Sequence, residues 1–381
     1  IPLLSPNNDA RKIREAARQL NSMFAQAQAQ AQRDGRPYGV AFREFGTTNP
    51  FSGMALEAFF IAEPSPFAGF SQNARVWLAF TGDVYGAAGN EGTRFSPEHD
   101  GKPIYRLTFV DAGTGASPPP ASPLPPRTFK IGDTIEVAGN HFLIADDGKD
   151  GAAPNEIEQV PVGPGQYEDY LASTAEVDCI WLDFNRGHVL ALTPPNSKQP
   201  VLKSYRVRRQ PRYTADLPLQ FPRGIGIDMQ VSGLPGPANN FDRGGQDSVA
   251  LMFRPDGGLG DVYHSNPSRH RVYDRVDRVF FLLGRVENGN NGTQDENDYD
   301  FAATPVTDDE LAQRRRRINW LNADSRWVTV AHSGRIITSE NNLFDPRQAR
   351  FIADPDVDVQ RREQIEAARA HARDMLGTGG R

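Results

Sequence analysis

The sequence predicts an α+β protein in which a long N-terminal amphipathic helix packs on a mainly antiparallel, β-rich head. An apolar stripe with helical spacing runs through residues 8–34. Glycine and proline, at 35 and 30 residues in a chain of 381, are too frequent for a helical bundle and favour short strands joined by turns. Short alternating apolar and polar segments recur along the remaining chain, and short helices follow late in the sequence.

The N-terminal helix is predicted over residues 8–34. Asn8 and Asp9 can cap its start, Gly35 suits the position just past its end, and Pro37 prevents its continuation. Apolar side chains form one face, and basic and polar side chains form the other. The apolar face contains Ile13, Ala16, Ala17, Leu20, Phe24, Ala27 and Ala31, and the polar face contains Arg11, Lys12, Arg14, Glu15, Arg18 and Gln19.

The head is predicted to contain many short strands, because its apolar or alternating runs are bounded by glycine, proline and asparagine turns. The main predicted strands cover residues 38–42, 56–61, 76–80, 104–110, 128–137, 141–145, 183–192, 204–209, 221–231, 248–253, 260–264, 278–285, 327–331 and 334–338. Thr307 and Glu310 form a capping box that opens a helix to about Trp320, and a polar helix is predicted over about 357–376.

Neither an internal repeat nor a linker composition divides the chain. We therefore expect two parts, the helix of residues 1–34 and a globular head of residues 35–381 with long loop insertions over about 43–200. We also expect the head to stay folded and soluble when residues 1–34 are removed.

Composition excludes several classes of function. The net charge of −6 gives no indication of a nucleic-acid partner. The one cysteine, Cys179, has no intramolecular partner and is interpreted as a buried apolar residue rather than a reactive thiol. The chain contains no run of 18 apolar residues. We expect the apolar start at residues 1–4 to be the cut end of a longer hydrophobic segment, and an ordinary disordered terminus is the alternative.

The search for catalytic chemistry yields no catalytic residue. The seven histidines do not pair at metal-ligand spacing, and neither a nucleophile elbow nor a phosphate loop is present. Paired carboxylates are the hardest motif to dismiss, because β-rich glycosidases need only two of them. The candidates are Asp146, Asp147, Asp183, Asp228 and Asp261. Most lie beside glycine or asparagine, which turn formation explains.

Two polar segments suggest ligands. Closely spaced oxygen ligands on the glycine-containing segment 287–300 suit Ca²⁺, and Asp295, Asn297, Asp298 and Asp300 are its candidate ligands. A solvated loop is the alternative, and no other cofactor is expected. The run Arg314, Arg315, Arg316 and Arg317 offers contacts for phosphates or anionic lipid. On a short capped helix, we instead expect one or two of the four to face inward and the rest to be solvated.

The order of these motifs resembles the bacterial prepilin family, and specifically the type II secretion pseudopilin-like proteins of planctomycete-type bacteria with an N-terminal cleavage and methylation segment. Residues 16–40 resemble the end of the pilin helix and the first head strand. Residues 129–135 resemble the mid-chain hairpin of the family, and residues 327–340 resemble its closing hairpin. Residues 221–228 and 250–258 resemble sheet strands of minor, tip-type pseudopilins. The hallmark cleavage site followed by a long apolar helix is absent.

The resemblance implies a pilin-like fold and a non-enzymatic structural subunit of a type IV pilus, type II secretion pseudopilus or related envelope filament. Other pilin or pseudopilin subunits would be its partners, and an upstream helix missing here would anchor the precursor in the inner membrane. The expected location is the bacterial cell envelope, periplasmic or extracellular. Assembly would use the helix through Ile13, Ala17, Leu20 and Phe24, some of which would also hold it against the head. The alternatives are an extracellular glycan-binding or glycan-hydrolysing β-protein, stabilised by calcium, and an adhesive surface protein.

Overall fold

The computed structural model describes residues 6–44, 53–84, 102–114, 120–125, 127–145, 157–163, 166–171, 176–182, 202–236, 239–241, 248–266, 269–273, 276–289, 301, 306–341, 344–354 and 356–377. Its helices are α1 (Pro6–Asp34), α2 (Asp308–Arg317), α3 (Ala349–Ile352) and α4 (Val357–Gly377). Its strands are β1 (Tyr38–Glu44), β2 (Met54–Ala62), β3 (Ala74–Val84), β4 (Pro103–Asp111), β5 (Thr134–Val137), β6 (Asn140–Ile144), β7 (Ile157–Gly163), β8 (Gln166–Leu171), β9 (Glu176–Trp181), β10 (Tyr205–Arg208), β11 (Arg212–Tyr213), β12 (Leu219–Gln220), β13 (Ile225–Gly233), β14 (Ser248–Phe253), β15 (Leu259–Asn266), β16 (Arg269–Tyr273), β17 (Arg278–Arg285), β18 (Arg326–Ala331) and β19 (Ile336–Glu340).

The predicted pilin-like α+β class is wrong. Strands account for 41% of the structure and helices for 27%. The strands form two large antiparallel sheets, one of which is nearly a barrel, and a separate two-stranded sheet of β7 and β8. The prediction treated the strands as one head that supports a helix. The pairing of strands distant in sequence decides the class instead, and a single-sequence pattern does not specify that pairing.

The chain forms two units, and it leaves and re-enters the first of them. Unit 1 comprises Ile1–Ala62, Tyr213–Pro267 and Arg271–Arg381, and unit 2 comprises Glu63–Arg212 with Ser268–His270. The range 43–200 contains strands β2 to β9, most of which belong to unit 2.

Unit 1 is built around a large antiparallel sheet with the strand order β16-β15-β14-β1-β2-β13-β17-β18-β19. Helix α1 lies against its inner face and contacts strands from β14 through β1 to β19. The side chains of Ile13, Leu20 and Phe24 are at most 1% exposed there. The Phe24 ring packs on Phe42 and Phe281 at centroid distances of 6.0 and 5.6 Å. The helix stripe and the inner sheet face therefore form one core.

The other face of the β13-β17-β18 region is covered by the later helices. Trp320, Trp327 and Phe280 form a second apolar cluster with Leu311 of α2 and Ile365 of α4. This part of unit 1 consequently has three layers, with helices on both faces of one sheet.

Unit 2 contains a six-stranded sheet with the order β10-β5-β6-β9-β4-β3. Lys203, just before β10, exchanges two backbone hydrogen bonds of 2.9 Å with Val76 of β3. This bridge joins the two ends of the sheet, so the sheet closes into a near-barrel. Its interior is filled by apolar side chains that include Phe109, Phe129 and Phe142.

Several local predictions agree with these elements. Helix α1 ends where predicted, and Gly35 has a φ of +63°, the left-handed conformation that favours glycine at a helix end. Thr307 Oγ1 accepts a hydrogen bond of 3.3 Å from the Glu310 N–H, as the capping box predicts. The predicted strand over 183–192 lies outside the described residues.

Candidate functional site

The side chains of the four predicted assembly residues are all buried in the core of unit 1. Ile13 and Ala17 are 1% exposed, and Leu20 and Phe24 are fully buried. Their side chains contact the sheet of the same unit. The surface that helix α1 offers to a partner is therefore its polar face, which carries Arg11, Arg14 and Arg18.

The predicted calcium ligands Asp295, Asn297, Asp298 and Asp300 lie outside the described residues, and so do Asp146, Asp147 and Asp183. Across the part of the chain that the structure describes, no group of three or more His, Cys, Asp or Glu side chains could hold a metal ion. The calcium site stays a prediction.

Asp228 and Asp261 lie too far apart to act as a pair. They lie on β13 and β15, which are four strand positions apart in the sheet, or roughly 19 Å along it. The carboxylates of glycosidases are within about 10 Å of each other. Asp228 is buried, and its Oδ2 accepts a hydrogen bond of 3.0 Å from Asn319 Nδ2.

Asn319 has a structural explanation. Its Oδ1 accepts a 3.0 Å hydrogen bond from the Arg285 N–H. The Asn319 side chain packs against β17 at Gly284. A Cβ on Gly284 would lie 2.3 Å from Asn319 Oδ1, so only glycine leaves room for this side chain. The Asp228–Asn319 pair thus anchors the turn before β18 rather than forming a reaction centre.

The Cys179 thiol and the Arg369 guanidinium, both buried, also have structural explanations. Burial raises the pKa of the Cys179 thiol well above its usual range, and the neighbouring Asp178 raises it further. A protonated, inaccessible thiol is a poor nucleophile.

Arg369 is fully buried, and its guanidinium donates to the carbonyls of Val231 and Leu234 at 2.6 and 3.0 Å. Burial lowers the pKa of Arg369 to about 10. Its donors are engaged by backbone carbonyls and by Asn240 Oδ1, so Arg369 holds the end of β13 in place.

The arginine run of α2 is divided between the interior and the surface. Arg314 is 7% exposed, bonds Glu310 at 2.7 Å and stacks 5.0 Å from the Phe301 ring. Arg316 and Arg317 are exposed. The expectation that one or two of the four face inward is confirmed.

A groove lies between α1 and β19, and it is a candidate binding site that the structural roles above do not explain. We name it the α1–β19 groove. It consists of two cavities of about 440 and 560 Å³ that share Asn21. The smaller cavity is lined by Ala25, Gln28, Gly334, Arg335 and Ile336. The larger is lined by Arg11, Arg14, Arg18, Arg326, Thr338 and Glu340.

One wall of this groove is an open sheet edge. Strand β19 is the last strand of the unit 1 sheet, and among the described residues only β18 pairs with it. The Ala331 N–H bonds the Arg335 carbonyl, and the Asn341 N–H bonds the Ser325 carbonyl. Antiparallel pairing alternates, so Arg335, Ile337 and Ser339 bond inward. The N–H and C=O groups of Ile336, Thr338 and Glu340 consequently face outward.

The arginines beside this edge differ in their partners. Arg18 pairs with Glu15 on its own helix, and Arg326 pairs with Glu340 at 2.9 Å. Arg11 and Arg14 are exposed, and within the described residues no ion pair or hydrogen bond joins their side chains to an acid. The groove therefore combines unpaired strand groups with an excess of positive charge.

The sequence pattern indicates one wall of this groove, the basic face of α1, but not the other wall, β19. The polar face of α1 places Arg11, Arg14 and Arg18 at helical spacing, which marks one basic surface. The position of β19 beside that surface, at the end of the sheet, depends on tertiary pairing that the sequence does not reveal.

Comparisons with known proteins return no match, whether against protein-family models, curated proteins or solved structures. Among the described helices, none is long and apolar enough to cross a membrane.

Proposed function

We propose that this chain is a non-catalytic assembly subunit that binds another protein by adding a strand of that protein to the edge of β19. The observation that carries the proposal is the outward-facing row of backbone groups on Ile336, Thr338 and Glu340 beside the α1–β19 groove. An extended segment pairs with such a row through its own backbone, while its side chains enter the neighbouring groove.

Among the described residues, no strand pairs with the outer side of β19, although α1 and α4 contact this strand. Natural edges are blunted by proline, by bulges or by a covering element. Strand β19 contains no proline, its register with β18 is regular over five residue pairs, and Thr338 is exposed. Each backbone hydrogen bond to a partner contributes about 0.5–1.5 kcal/mol net, so side-chain contacts in the groove must supply most of the remaining binding energy.

The filament role implied by the prepilin resemblance is one form of this proposal and stays a prediction. Because the structure is not pilin-like, its architecture does not support that role. The envelope location is likewise a prediction. The glycan alternative rests largely on Asp146, Asp147 and Asp183, which lie outside the described residues, and it also stays a prediction.

The test is site-specific photo-crosslinking in the cells that produce the protein. A photoreactive residue at Glu340 should trap one defined partner, which mass spectrometry identifies. Thr338→Pro should abolish this product because it removes an outward N–H and blocks pairing. Thr338→Val keeps the backbone donor and should retain the product.

A photoreactive residue at Gln26 supplies the positional control, because Gln26 is exposed on α1 but does not line the groove. Circular dichroism should show that each variant is folded. The proposal fails if no product forms at position 340, or if Thr338→Pro leaves the product unchanged.

A further inference from the structure

The charges of the α1–β19 groove indicate what kind of strand it accepts. We infer that the partner strand carries acidic side chains in the half that lies beside Arg11, Arg14 and Arg18. This inference rests on the proposed function and identifies the partner of the same site.

The charges that face the larger cavity come from three elements. Helix α1 contributes Arg11, Arg14 and Arg18, β18 contributes Arg326, and β19 contributes the carboxylate of Glu340. Glu15 of α1 pairs with Arg18, and Glu340 pairs with Arg326. Two positive charges, those of Arg11 and Arg14, are left for a ligand.

The spacing of the arginines suits alternate residues of an extended chain. Arg11 and Arg14 are three residues apart, or about 4.5 Å along a helix. Alternate side chains on one face of a strand are about 7 Å apart. Two carboxylates at positions i and i+2 of a partner strand can therefore reach Arg11 and Arg14, whose long side chains adjust to the difference in spacing.

The smaller cavity has a different character. Ala25 and Ile336 supply apolar surface, Asn21 and Gln28 supply amides, and Arg335 supplies a positive charge. Gln28 Nε2 is already engaged, since it donates to the Gly257 carbonyl at 2.6 Å. This end is therefore mixed in character, and the expected charge preference comes from the half beside Arg11 and Arg14.

Two other occupants fit these observations less well. A second copy of β19 would bring one positive charge, Arg335, and one negative charge, Glu340. These charges cancel, so the excess positive charge of the groove would stay unpaired. A nucleic acid would satisfy the arginines through phosphates, but it has no alternating N–H and C=O groups for the strand edge. An acidic polypeptide strand satisfies both features.

The test uses three fluorescein-labelled seven-residue peptides in which valine alternates with Glu, Gln or Lys, and a single-stranded oligothymidylate. Fluorescence anisotropy on the full chain measures their Kd values. We expect the Glu peptide to bind about ten-fold more tightly than the Gln peptide, which corresponds to ~1.4 kcal/mol. The Lys peptide should bind more weakly than both, and added salt should reduce the difference.

Matched variants assign the effect to the groove. Arg11→Gln with Arg14→Gln should erase the preference for the Glu peptide. Arg316→Gln with Arg317→Gln removes the same charge from exposed positions on α2 and should leave the preference unchanged. Thr338→Pro should abolish binding of both the Glu and Gln peptides, and Thr338→Val should not.

The possible outcomes separate the two proposals. Equal binding of the Glu and Gln peptides, both lost in Thr338→Pro, overturns the acidic inference and leaves strand addition standing. Glu-peptide binding that survives Thr338→Pro, or tighter binding of the oligothymidylate, indicates an anion surface without strand pairing and overturns the inference. Absence of peptide binding together with absence of the photo-crosslink overturns the proposed function itself.

Discussion

The sheet of unit 1 is covered by helices on its inner face and on part of its outer face, whereas the sheet of unit 2 buries its inner face by closing. The bridge between Val76 and Lys203 joins the ends of the unit 2 sheet. Unit 1 leaves β19 unpaired on its outer side among the described residues. Closure removes sheet edges, and layering does not. The proposed strand-mediated binding therefore needs the open sheet of unit 1, because the closed sheet of unit 2 does not offer such an edge.

The largest expected effect separates the cores of the two units. Phe24→Ala should destabilise unit 1 by about 3–5 kcal/mol, because the ring is fully buried against Phe42 and Phe281. Hydrogen exchange should show faster exchange in β1 and β17, with β4 and β9 unchanged. Gln26→Ala, at an exposed position of the same helix, is the control. Equal loss of protection in both units would contradict separate cores.

The same burial changes the expectation for truncation. Removal of residues 1–34 would take away the helix that fills the inner face of the unit 1 sheet. We now expect that truncation to unfold unit 1 rather than to release a folded head.

The next effect is a pH dependence confined to unit 2. Asp133 is 1% exposed and accepts hydrogen bonds from the N–H groups of Lys130 and Gln210 at 2.9 and 2.7 Å. Burial raises the pKa of Asp133 to about 6, above its ordinary 3.8. Between these values the folded state binds the proton more tightly than the unfolded state. The stability of unit 2 therefore falls as the pH rises through this window, by ~3 kcal/mol.

Asp133→Asn removes this titration and supplies the comparison. Urea unfolding, followed for unit 2 between about pH 4 and about pH 7, should show the decline in the wild type and a flatter profile in the variant. Parallel profiles for the two proteins would contradict the assignment to Asp133.

A smaller effect concerns an ion pair of the unit 2 sheet. Arg106 Nε and Nη2 donate to the two carboxylate oxygens of Asp178 at 2.9 and 3.0 Å, across the β4–β9 pairing. The Asp178 side chain is 4% exposed and that of Arg106 is 37% exposed. Asp178→Ala should cost about 2–3 kcal/mol, less than a fully buried pair because water screens the arginine. Chemical denaturation measures this cost. The double variant Arg106→Leu with Asp178→Leu should recover most of it, and failure to recover would indicate that other contacts of Asp178 dominate.

The smallest effect compares the open edge with the closed one directly. Thr338→Pro should cost less than about 1 kcal/mol, since it removes an outward N–H and the 2.7 Å hydrogen bond from Asn21. Lys203→Pro should cost more, about 1–3 kcal/mol, because it removes a bond that closes the unit 2 barrel. Thermal unfolding of the two variants measures the difference. Equal costs would mean that the β19 edge is already paired in solution.

Local structure was predictable where short-range chemistry decides it. The end of α1 at Gly35, the capping of α2 by Thr307 and the inward turn of Arg314 depend on residues close in sequence. The fold class was not predictable, because it depends on which distant strands pair. No composition change marks residues 62 or 212, where the chain passes between units, and the β13-β17 pairing joins segments about fifty residues apart.

The sequence by itself determined that a helix with one apolar and one arginine-rich face begins the chain. Tertiary structure alone decided how each face is used. The sheet of unit 1 buries Ile13, Leu20 and Phe24, because apolar area leaves water wherever a complementary face exists. The same sheet ends at β19 beside Arg11 and Arg14, because no described strand continues the ladder past Thr338. Charge pattern is a local property of a helix, and an open edge is a property of the whole sheet.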